Sequence, residues 1–323
     1  MTVVRDRVKK LLSRPRFTVT NHGIIFMNEK KHVPEGFNRG TEVSIGLIQT
    51  AVTKDIQENI QKTVSFVRKA AAQGAQIICL QELFSTVYFP QHERLDASGF
   101  AEPIPGDMVS LFARLAKELG IVIIVPLFEK AQNGNYYNSA ATIDADGNIL
   151  GVYRKIHIPF DKLFYEKNYF KDGDLGYHVY KTRFASIGVL ICYDQWIPEA
   201  ARINTLMGAD ILFYPTAIGW IKGHTSKDGD WHNAWETVQR GHAIANGVHV
   251  AAINRVGEED QLQFWGGSFV ADAFGKVLKK ASHTEEEALV VQVDLGMNKM
   301  IRDGWGFLNN RRPDTYQRIC KPS

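Results

Sequence analysis

From Val43 onward, short apolar segments alternate with segments whose apolar residues recur every three or four positions. The first kind is typical of buried strands, and the second is typical of helices that bury one face. Strands alternating with helices build a sheet layered with helices, and the Asp146-Gly147 turn predicts an antiparallel hairpin within it. We therefore predict an α/β fold with strands at 43–49, 75–82, 121–128, 138–144, 147–153, 186–194, 209–215 and 248–254, helices at 54–73, 107–119, 197–207 and 231–246, and a second hairpin region formed by 267–281 and 288–295.

The first forty residues differ in charge from the rest of the chain. They carry nine Lys and Arg side chains against three acids, so the net charge of +3 belongs to them, and 41–323 are mildly acidic. We predict a basic extension at 1–40 that packs on a neighbouring subunit, followed by one catalytic domain at 41–323. A nucleic-acid role would rest on this arm alone, and its Arg-rich start leaves a transit peptide open.

Composition and motifs exclude several classes of function. Hydrophobic residues make up 45% of the chain and charged residues 23%, as in a globular protein. No apolar run approaches the roughly 18 residues of a membrane helix. No glycine-rich phosphate loop follows a strand, the three cysteines are too scattered for a disulfide framework, and the histidines lack metal-ligand spacing. We expect a cytoplasmic protein with no metal or organic cofactor, no membrane contact and no nucleic-acid partner.

Cys192 is the cysteine whose position favours chemistry. It follows the apolar segment 186–191 where a strand ends and a helix begins, and Pro198 suits the first turn of that helix. Backbone N–H groups at such a turn can stabilise negative charge, and a helix N-terminus favours thiolate over thiol. The alternative is a buried structural cysteine, which fits Cys79 in its apolar strand. Cys320 fits an incidental surface thiol.

Two charged residues are placed to assist such a nucleophile. Glu82 follows the apolar segment 77–80 at the carboxyl end of a predicted strand, where α/β sheets place chemistry. Lys155 follows the second strand of the predicted hairpin among apolar neighbours, so we expect a partly buried ammonium with a carboxylate partner. An ordinary loop acid and a lysine that snorkels from a sheet edge are the alternatives.

Three segments occur in an order that resembles the carbon–nitrogen hydrolase (nitrilase) superfamily. They are LQELF around Glu82, YRKIHIP around Lys155 and GVLICYDQWIPEAAR around Cys192. The resemblance covers about residues 43–316. It implies a four-layer α-β-β-α sandwich with a catalytic set of Glu, Lys and Cys, and it places Glu166, in FYEKNYF, as a second acid near the site.

The resemblance also implies a mechanism. Cys192 would attack an amide or ureido carbonyl, while Glu82 would take the thiol proton and later activate water. Lys155 and the backbone N–H of Tyr193 would stabilise the oxyanion. Glu166 would position Lys155 or the substrate.

The segments CYDQWIPEAAR and 304–316 are most similar to the N-carbamoylputrescine amidohydrolase branch of that superfamily. Relatives that act on N-carbamoyl amino acids tend to carry Arg or His just after Cys-x-Asp, where this chain has Gln195 and Trp196. Arg202 and Arg255 remain candidates to pair with a substrate carboxylate. The alternatives are therefore an N-carbamoyl amino acid hydrolase, another aliphatic amidase, an amide-forming acyltransferase and a catalytically silent binding protein.

A cationic substrate tail would require acids and aromatic faces. The segment 216–235 offers Asp228, Asp230, Trp220 and Trp231 for this role, and Asp194 and Trp196 in the turn after the nucleophile are further candidates for substrate contacts. Asp228 with the glycine after it equally fits a simple turn. We expect a small-molecule ureido or amide substrate and a homo-oligomer built from dimers.

Overall fold

The computed structural model describes residues 41–321 and, before them, the paired strands β1 (Val19–Thr20) and β2 (Gly23–Ile24). The predicted packing role of residues 1–40 therefore lies outside the described residues. Within the described part of the chain, no helix combines the length and the hydropathy that a membrane crossing requires.

The first six-stranded sheet is built around three parallel strands joined by α1 (Ile56–Ala72) and α2 (Asp107–Leu119). Asp55 begins α1 because its side chain accepts two backbone N–H groups of the first turn, and Gly120 ends α2 in the left-handed conformation. In spatial order the strands are β17 (Glu287–Asp294), β3 (Glu42–Gln49), β4 (Ile77–Leu80), β5 (Val122–Lys130), β6 (Tyr136–Ile143) and β7 (Ile149–Arg154).

The second six-stranded sheet repeats this connectivity with α3 (Pro198–Leu206) and α4 (Trp231–Asn246). Its strands are, in spatial order, β16 (Val277–Lys280), β15 (Phe269–Ala271), β12 (His249–Ile253), β10 (Ile211–Pro215), β9 (Ser186–Val189) and β8 (Val179–Lys181). A small sheet holds β11 (Gly219–Ile221), β14 (Leu262–Trp265) and β13 (Val256–Glu259), and α5 (Gly296–Trp305) follows β17.

The central strands are apolar throughout because their two faces enter different cores. Ile45 and Leu47 of β3 pack against the second sheet, whereas Ile48 packs with α1 and α2. Ala200 of α3 and Ala243 of α4 belong to the core of the second sheet. Successive strand residues point to opposite faces, so both sheets are covered on both sides. The four-layer α-β-β-α sandwich predicted from the sequence is confirmed.

The predicted elements are confirmed, with two corrections. The strand predicted at 186–194 ends at Val189, because the chain turns into a 3-10 helix at Cys192–Trp196. The segments 267–281 and 288–295 do not form one hairpin region. The first contains the paired strands β15 and β16 of the second sheet, whereas β17 pairs with β3 in the first sheet.

Candidate active site

Four buried side chains from separate segments meet between the carboxyl ends of the two sets of parallel strands. Glu82 follows β4, Lys155 follows β7, Glu166 begins a 3-10 turn, and Cys192 begins the turn after β9. Lys155 Nζ lies 3.0 Å from Glu82 Oε1 and 2.6 Å from Glu166 Oε2. The ligand atoms of Glu82, Glu166 and Cys192 all lie within 4.8 Å of one another. The structure thus brings together the four residues that the sequence singled out.

The carboxylate of Glu82 accepts three hydrogen bonds. Its Oε1 accepts from Lys155 Nζ at 3.0 Å and from Asn138 Nδ2 at 2.7 Å. Its Oε2 accepts the backbone N–H of Ala217 at 2.8 Å, across from the first sheet to the second. These donors fix the orientation of the carboxylate. Sequence reasoning missed Asn138 and Ala217, although Asn138 could have been noticed as a polar residue at the start of an apolar strand.

The ammonium of Lys155 is completely buried. Burial opposes its charge, but the Cys192 sulfur and the carboxylates of Glu166 and Glu82 outweigh burial and raise its pKa above the usual value. An ammonium has three N–H donors, and the two carboxylates engage two of them. The third is available to a substrate oxygen. A metal ion bound by Glu82, Glu166 and Cys192 would compete with this ammonium, which already pairs with both carboxylates.

Glu166 is held from two sides. Tyr88 donates its hydroxyl to Oε1 at 2.7 Å, and Lys155 donates to Oε2. Burial and the nearby Glu82 carboxylate raise the pKa of Glu166, whereas Lys155 and Tyr88 act in the opposite direction. Glu166 therefore holds the ammonium of Lys155 in place, and Tyr88 holds Glu166. Sequence reasoning did not find Tyr88.

Cys192 has a left-handed backbone, with φ of 46°. This conformation costs a non-glycine residue roughly 1–2 kcal/mol, and it makes the sharp turn that leaves the thiol at the edge of a cavity. Burial and the Glu82 carboxylate raise the pKa of the thiol well above its usual value, although Lys155 lowers it. Burial and Glu82 therefore act against the thiolate that the helix N-terminus is expected to favour. Both favour the protonated sulfur, so a base is needed to take its proton.

Asp194 has a different role from the predicted one. Its buried carboxylate accepts the Tyr153 hydroxyl at 2.7 Å and the backbone N–H groups of Ile191 at 2.9 Å and His157 at 3.1 Å. The His157 ring lies 2.7 Å away through Nδ1. These bonds tie the turn after β9 to residues on both sides of Lys155. Asp194 therefore ties the turn of the nucleophile to the segment of the lysine, and it is not among the residues that line the cavity beside Cys192.

A cavity of about 230 Å³ opens beside Cys192. Tyr193 and Trp196 line it, together with Asp161 and Trp231, and Asp161 is an acid that sequence reasoning did not single out. Among the described lining residues there is no Lys, Arg or His. The cavity therefore offers a substrate aromatic faces and a carboxylate.

Four residues considered for substrate binding are not among those that line this cavity. Trp220 packs on Trp265 with ring centroids 5.2 Å apart. Asp228 accepts the backbone N–H of Thr225 at 2.8 Å, which makes it a turn residue. Arg202 and Arg255, the candidate partners of a substrate carboxylate, are likewise absent from the lining. Spacing along the chain does not fix the direction of a side chain, so it could not place these residues relative to the cavity.

The comparisons with known proteins agree with this geometry. The Carbon-nitrogen hydrolase family model matches residues 44–303. An N-carbamoylputrescine amidase from Arabidopsis thaliana is 46% identical over 86% of this chain and 95% of its own length, and a citrullinase from Francisella tularensis is 38% identical over 86% and 98%. A crystal structure of a carbon-nitrogen hydrolase from Helicobacter pylori G27 superposes with a TM-score of 0.83 at 41% identity, covering 87% of this chain and 99% of that one. The chain belongs to the carbon-nitrogen hydrolase family.

Proposed function

We propose that this protein is a cysteine amidohydrolase that converts N-carbamoylputrescine into putrescine, carbon dioxide and ammonia, a step of polyamine biosynthesis. The observation that carries the proposal is the cavity beside Cys192, which Asp161, Trp196 and Trp231 line and to which no described Lys, Arg or His contributes. A carboxylate and aromatic faces are the groups that stabilise an alkylammonium tail. The similarity to plant N-carbamoylputrescine amidases supports the same substrate.

Substrates with a carboxylate tail are the alternative, because one relative is a citrullinase. Such a tail needs a guanidinium or ammonium partner when it leaves water. The described lining residues provide Asp161, which would repel it, and Glu166, whose charge is balanced by Lys155. The cavity therefore favours the cationic substrate over citrulline or an N-carbamoyl amino acid.

In the first half of the reaction, Glu82 takes the proton of the Cys192 thiol as the sulfur attacks the ureido carbon. The carbonyl oxygen gains negative charge, which the free N–H of Lys155 and the backbone N–H of Tyr193 stabilise. One donor of this kind contributes about 3 kcal/mol in comparable sites. The intermediate expels an amine, which leaves with the proton that Glu82 returns.

In the second half, the Glu82 carboxylate takes a proton from water as the water oxygen attacks the thioester-like carbonyl. Collapse breaks the carbon–sulfur bond, and Glu82 returns the proton to the sulfur. The carbamic acid that forms loses carbon dioxide and releases the remaining amine. One urea derivative and one water thus give putrescine, ammonia and carbon dioxide.

The test compares N-carbamoylputrescine with N-butylurea, which has the same ureido group but no ammonium. We expect Asp161→Asn to raise KM for N-carbamoylputrescine about tenfold, because a charged hydrogen bond is lost, and to leave KM for N-butylurea unchanged. Asp228→Asn is the matched control, since this exposed acid is not part of the lining. Ammonia release measures both rates. Equal effects of Asp161→Asn on both substrates, or a higher kcat/KM for N-carbamoyl-β-alanine, would overturn the assignment.

We also propose that the protein acts in the cytoplasm as a homo-oligomer built from dimers. Large apolar side chains are exposed on and around α3 and α5, as on surfaces that pack against another subunit. They include Leu206, Met207, Met300 and Trp305, which are between 46% and 53% exposed.

A further inference from the structure

We propose that Arg255 is a positioning residue for the general base, acting through the backbone of the segment 82–88. It rests on the catalytic role proposed for Glu82, and it assigns Arg255 a function quite different from binding a substrate carboxylate.

The guanidinium of Arg255 is completely buried and points at backbone carbonyls. Its Nη2 donates to the carbonyl of Glu82 at 2.7 Å and to that of Leu83 at 2.9 Å. Its Nη1 donates to the carbonyl of Thr86 at 3.3 Å and to Glu259 Oε1 at 2.7 Å. One side chain from the segment between β12 and β13 therefore binds three carbonyls of the segment that follows β4.

The segment needs such a restraint because it is strained beside the base. Leu83, the residue after Glu82, has a left-handed backbone with φ of 48°. A leucine in this conformation costs roughly 1–2 kcal/mol, and it persists only where the surroundings hold it. Arg255 binds the carbonyl before Leu83, that of Glu82, and the carbonyl of Leu83 itself. It therefore holds the turn that orients the Glu82 carboxylate.

Glu259 extends the restraint to the other end of the segment. Its Oε1 pairs with Arg255, and its Oε2 accepts the backbone N–H of Tyr88 at 2.5 Å. The hydroxyl of Tyr88 in turn donates to Glu166, which pairs with Lys155. The buried Arg255–Glu259 pair thus holds the segment 82–88 at both ends. At the start it holds the backbone of Glu82, the general base, and at the end it holds Tyr88, which orients Glu166.

A guanidinium suits this task and an ammonium does not. Arg255 uses two nitrogens held in one plane to reach four acceptors, whereas a lysine offers a single nitrogen. Arg255→Lys therefore keeps the positive charge beside Glu259 but loses the pair of coplanar nitrogens that reaches the four acceptors. A matched control exists in Arg302 of α5, which donates to the carbonyls of Gly247 and Ala209 at 2.9 Å each and takes no part in the site.

The experiment measures kcat, KM and the acid limb of the kcat/KM–pH profile for Arg255→Lys and Arg302→Lys. N-Carbamoylputrescine and butyramide are both used, so that a failure of the proposed substrate leaves this test intact. For Arg255→Lys we expect kcat to fall tenfold or more, since displacing a catalytic group by about 1 Å costs on the order of a hundredfold, with KM within about twofold. Arg302→Lys should lower the melting temperature and leave kcat unchanged.

The acid limb separates positioning from stability. Four titratable groups face Glu82 and remain in the variant: Lys155, Glu166, Cys192 and Tyr88. If the segment 82–88 relaxes, the hydrogen bonds that Lys155, Asn138 and Ala217 donate to the Glu82 carboxylate lengthen. The acid limb should then move to higher pH by about half a unit or more, which a loss of stability alone would not cause.

Glu259→Gln provides a second variant that keeps the shape of the acid and weakens its hold on Arg255. We expect kcat to fall by about threefold to tenfold with the same shift of the acid limb. Each variant is assayed well below its own melting temperature. The proposal is overturned if the variants that fold keep kcat within twofold and an unmoved acid limb, or if Arg302→Lys reproduces the effect of Arg255→Lys.

Discussion

The two halves of the sandwich share a connectivity and differ in their chemistry. Each half runs through three parallel strands and two helices, β3 to β5 with α1 and α2, and β9 to β12 with α3 and α4. In the first half, the middle strand β4 is followed by the carboxylate of Glu82. In the second half, the middle strand β10 is followed by the backbone N–H of Ala217, which donates to that carboxylate. The second half supplies the thiol, and the first supplies the charges that act on it.

This difference shows how one architecture can hold buried charged groups, which need partners, next to a thiol, which does not. A buried carboxylate needs donors, and a buried ammonium needs acceptors, so Glu82 and Lys155 are stable only together. The thiol of Cys192 needs no counter-charge while it remains protonated, whereas the buried carboxylate of Asp194 in the same turn is held by the Tyr153 hydroxyl and by backbone N–H groups. The site is complete only where the two sheets meet.

The strongest test of this division compares the two buried cysteines. Cys192→Ala should lower kcat by about 10⁴-fold or more, as the loss of a nucleophile does elsewhere. Cys79→Ala should keep kcat, because burial alone raises the pKa of Cys79 and no catalytic charge acts on it. It should lower the free energy of unfolding by about 1 kcal/mol, because the smaller side chain leaves a cavity in the core. Ammonia release and urea unfolding measure these quantities. Residual turnover in a folded Cys192→Ala protein would contradict the division.

A second test asks whether the charge of the first half controls the thiol of the second. After burial, the Glu82 carboxylate is the largest cause of the raised pKa of Cys192, because it opposes a nearby thiolate. Glu82→Gln should therefore lower the pKa of the thiol while it lowers kcat by about 10²-fold or more. The ultraviolet absorbance of the thiolate, titrated in a Cys320→Ser background, gives the pKa.

Glu286→Gln is the control for this titration, since Glu286 pairs with Lys62 away from the site. It should change neither the pKa of Cys192 nor kcat. A Glu82→Gln protein whose thiol ionises at the same pH as before, or higher, would show that the two halves are not coupled in this way.

The smallest expected effect concerns two buried tyrosines, one from each half. Tyr153 donates to Asp194 at 2.7 Å, whereas the buried hydroxyl of Tyr214 has no partner among the described residues. Tyr153→Phe should lower the free energy of unfolding by about 1–2 kcal/mol, and kcat severalfold, because Asp194 then orients the nucleophile less firmly. Tyr214→Phe should change stability by less than about 0.5 kcal/mol. Urea unfolding measures both free energies. Equal losses in the two variants would contradict a stabilising role for the Tyr153–Asp194 hydrogen bond.

Much of the fold was predictable because its signals are local. The helix predicted at 107–119 occurs as Asp107–Leu119, and the one at 231–246 as Trp231–Asn246. Pairing between distant segments was not predictable in this way. Since β17 joins β3 through partners such as Val291 and Ile45, no pattern within either segment could reveal the contact.

The same distinction holds for the site. The strand-end position of Glu82 and the turn position of Cys192 can be read from neighbouring residues. The roles proposed for Tyr88 and Arg255 depend on contacts between segments far apart. The bonds of Asp194 were not predictable either, because proximity to the nucleophile does not say where a carboxylate points. A 3-10 turn directs that side chain back towards β7.

The pairing of β17 with β3 also has a consequence for synthesis on the ribosome. All eight residues of β3 have partners in β17, yet the chain between them is more than 200 residues long. At about 5–20 residues per second, the apolar edge of the nascent first sheet waits tens of seconds for its last strand. During that interval the edge can pair with another chain.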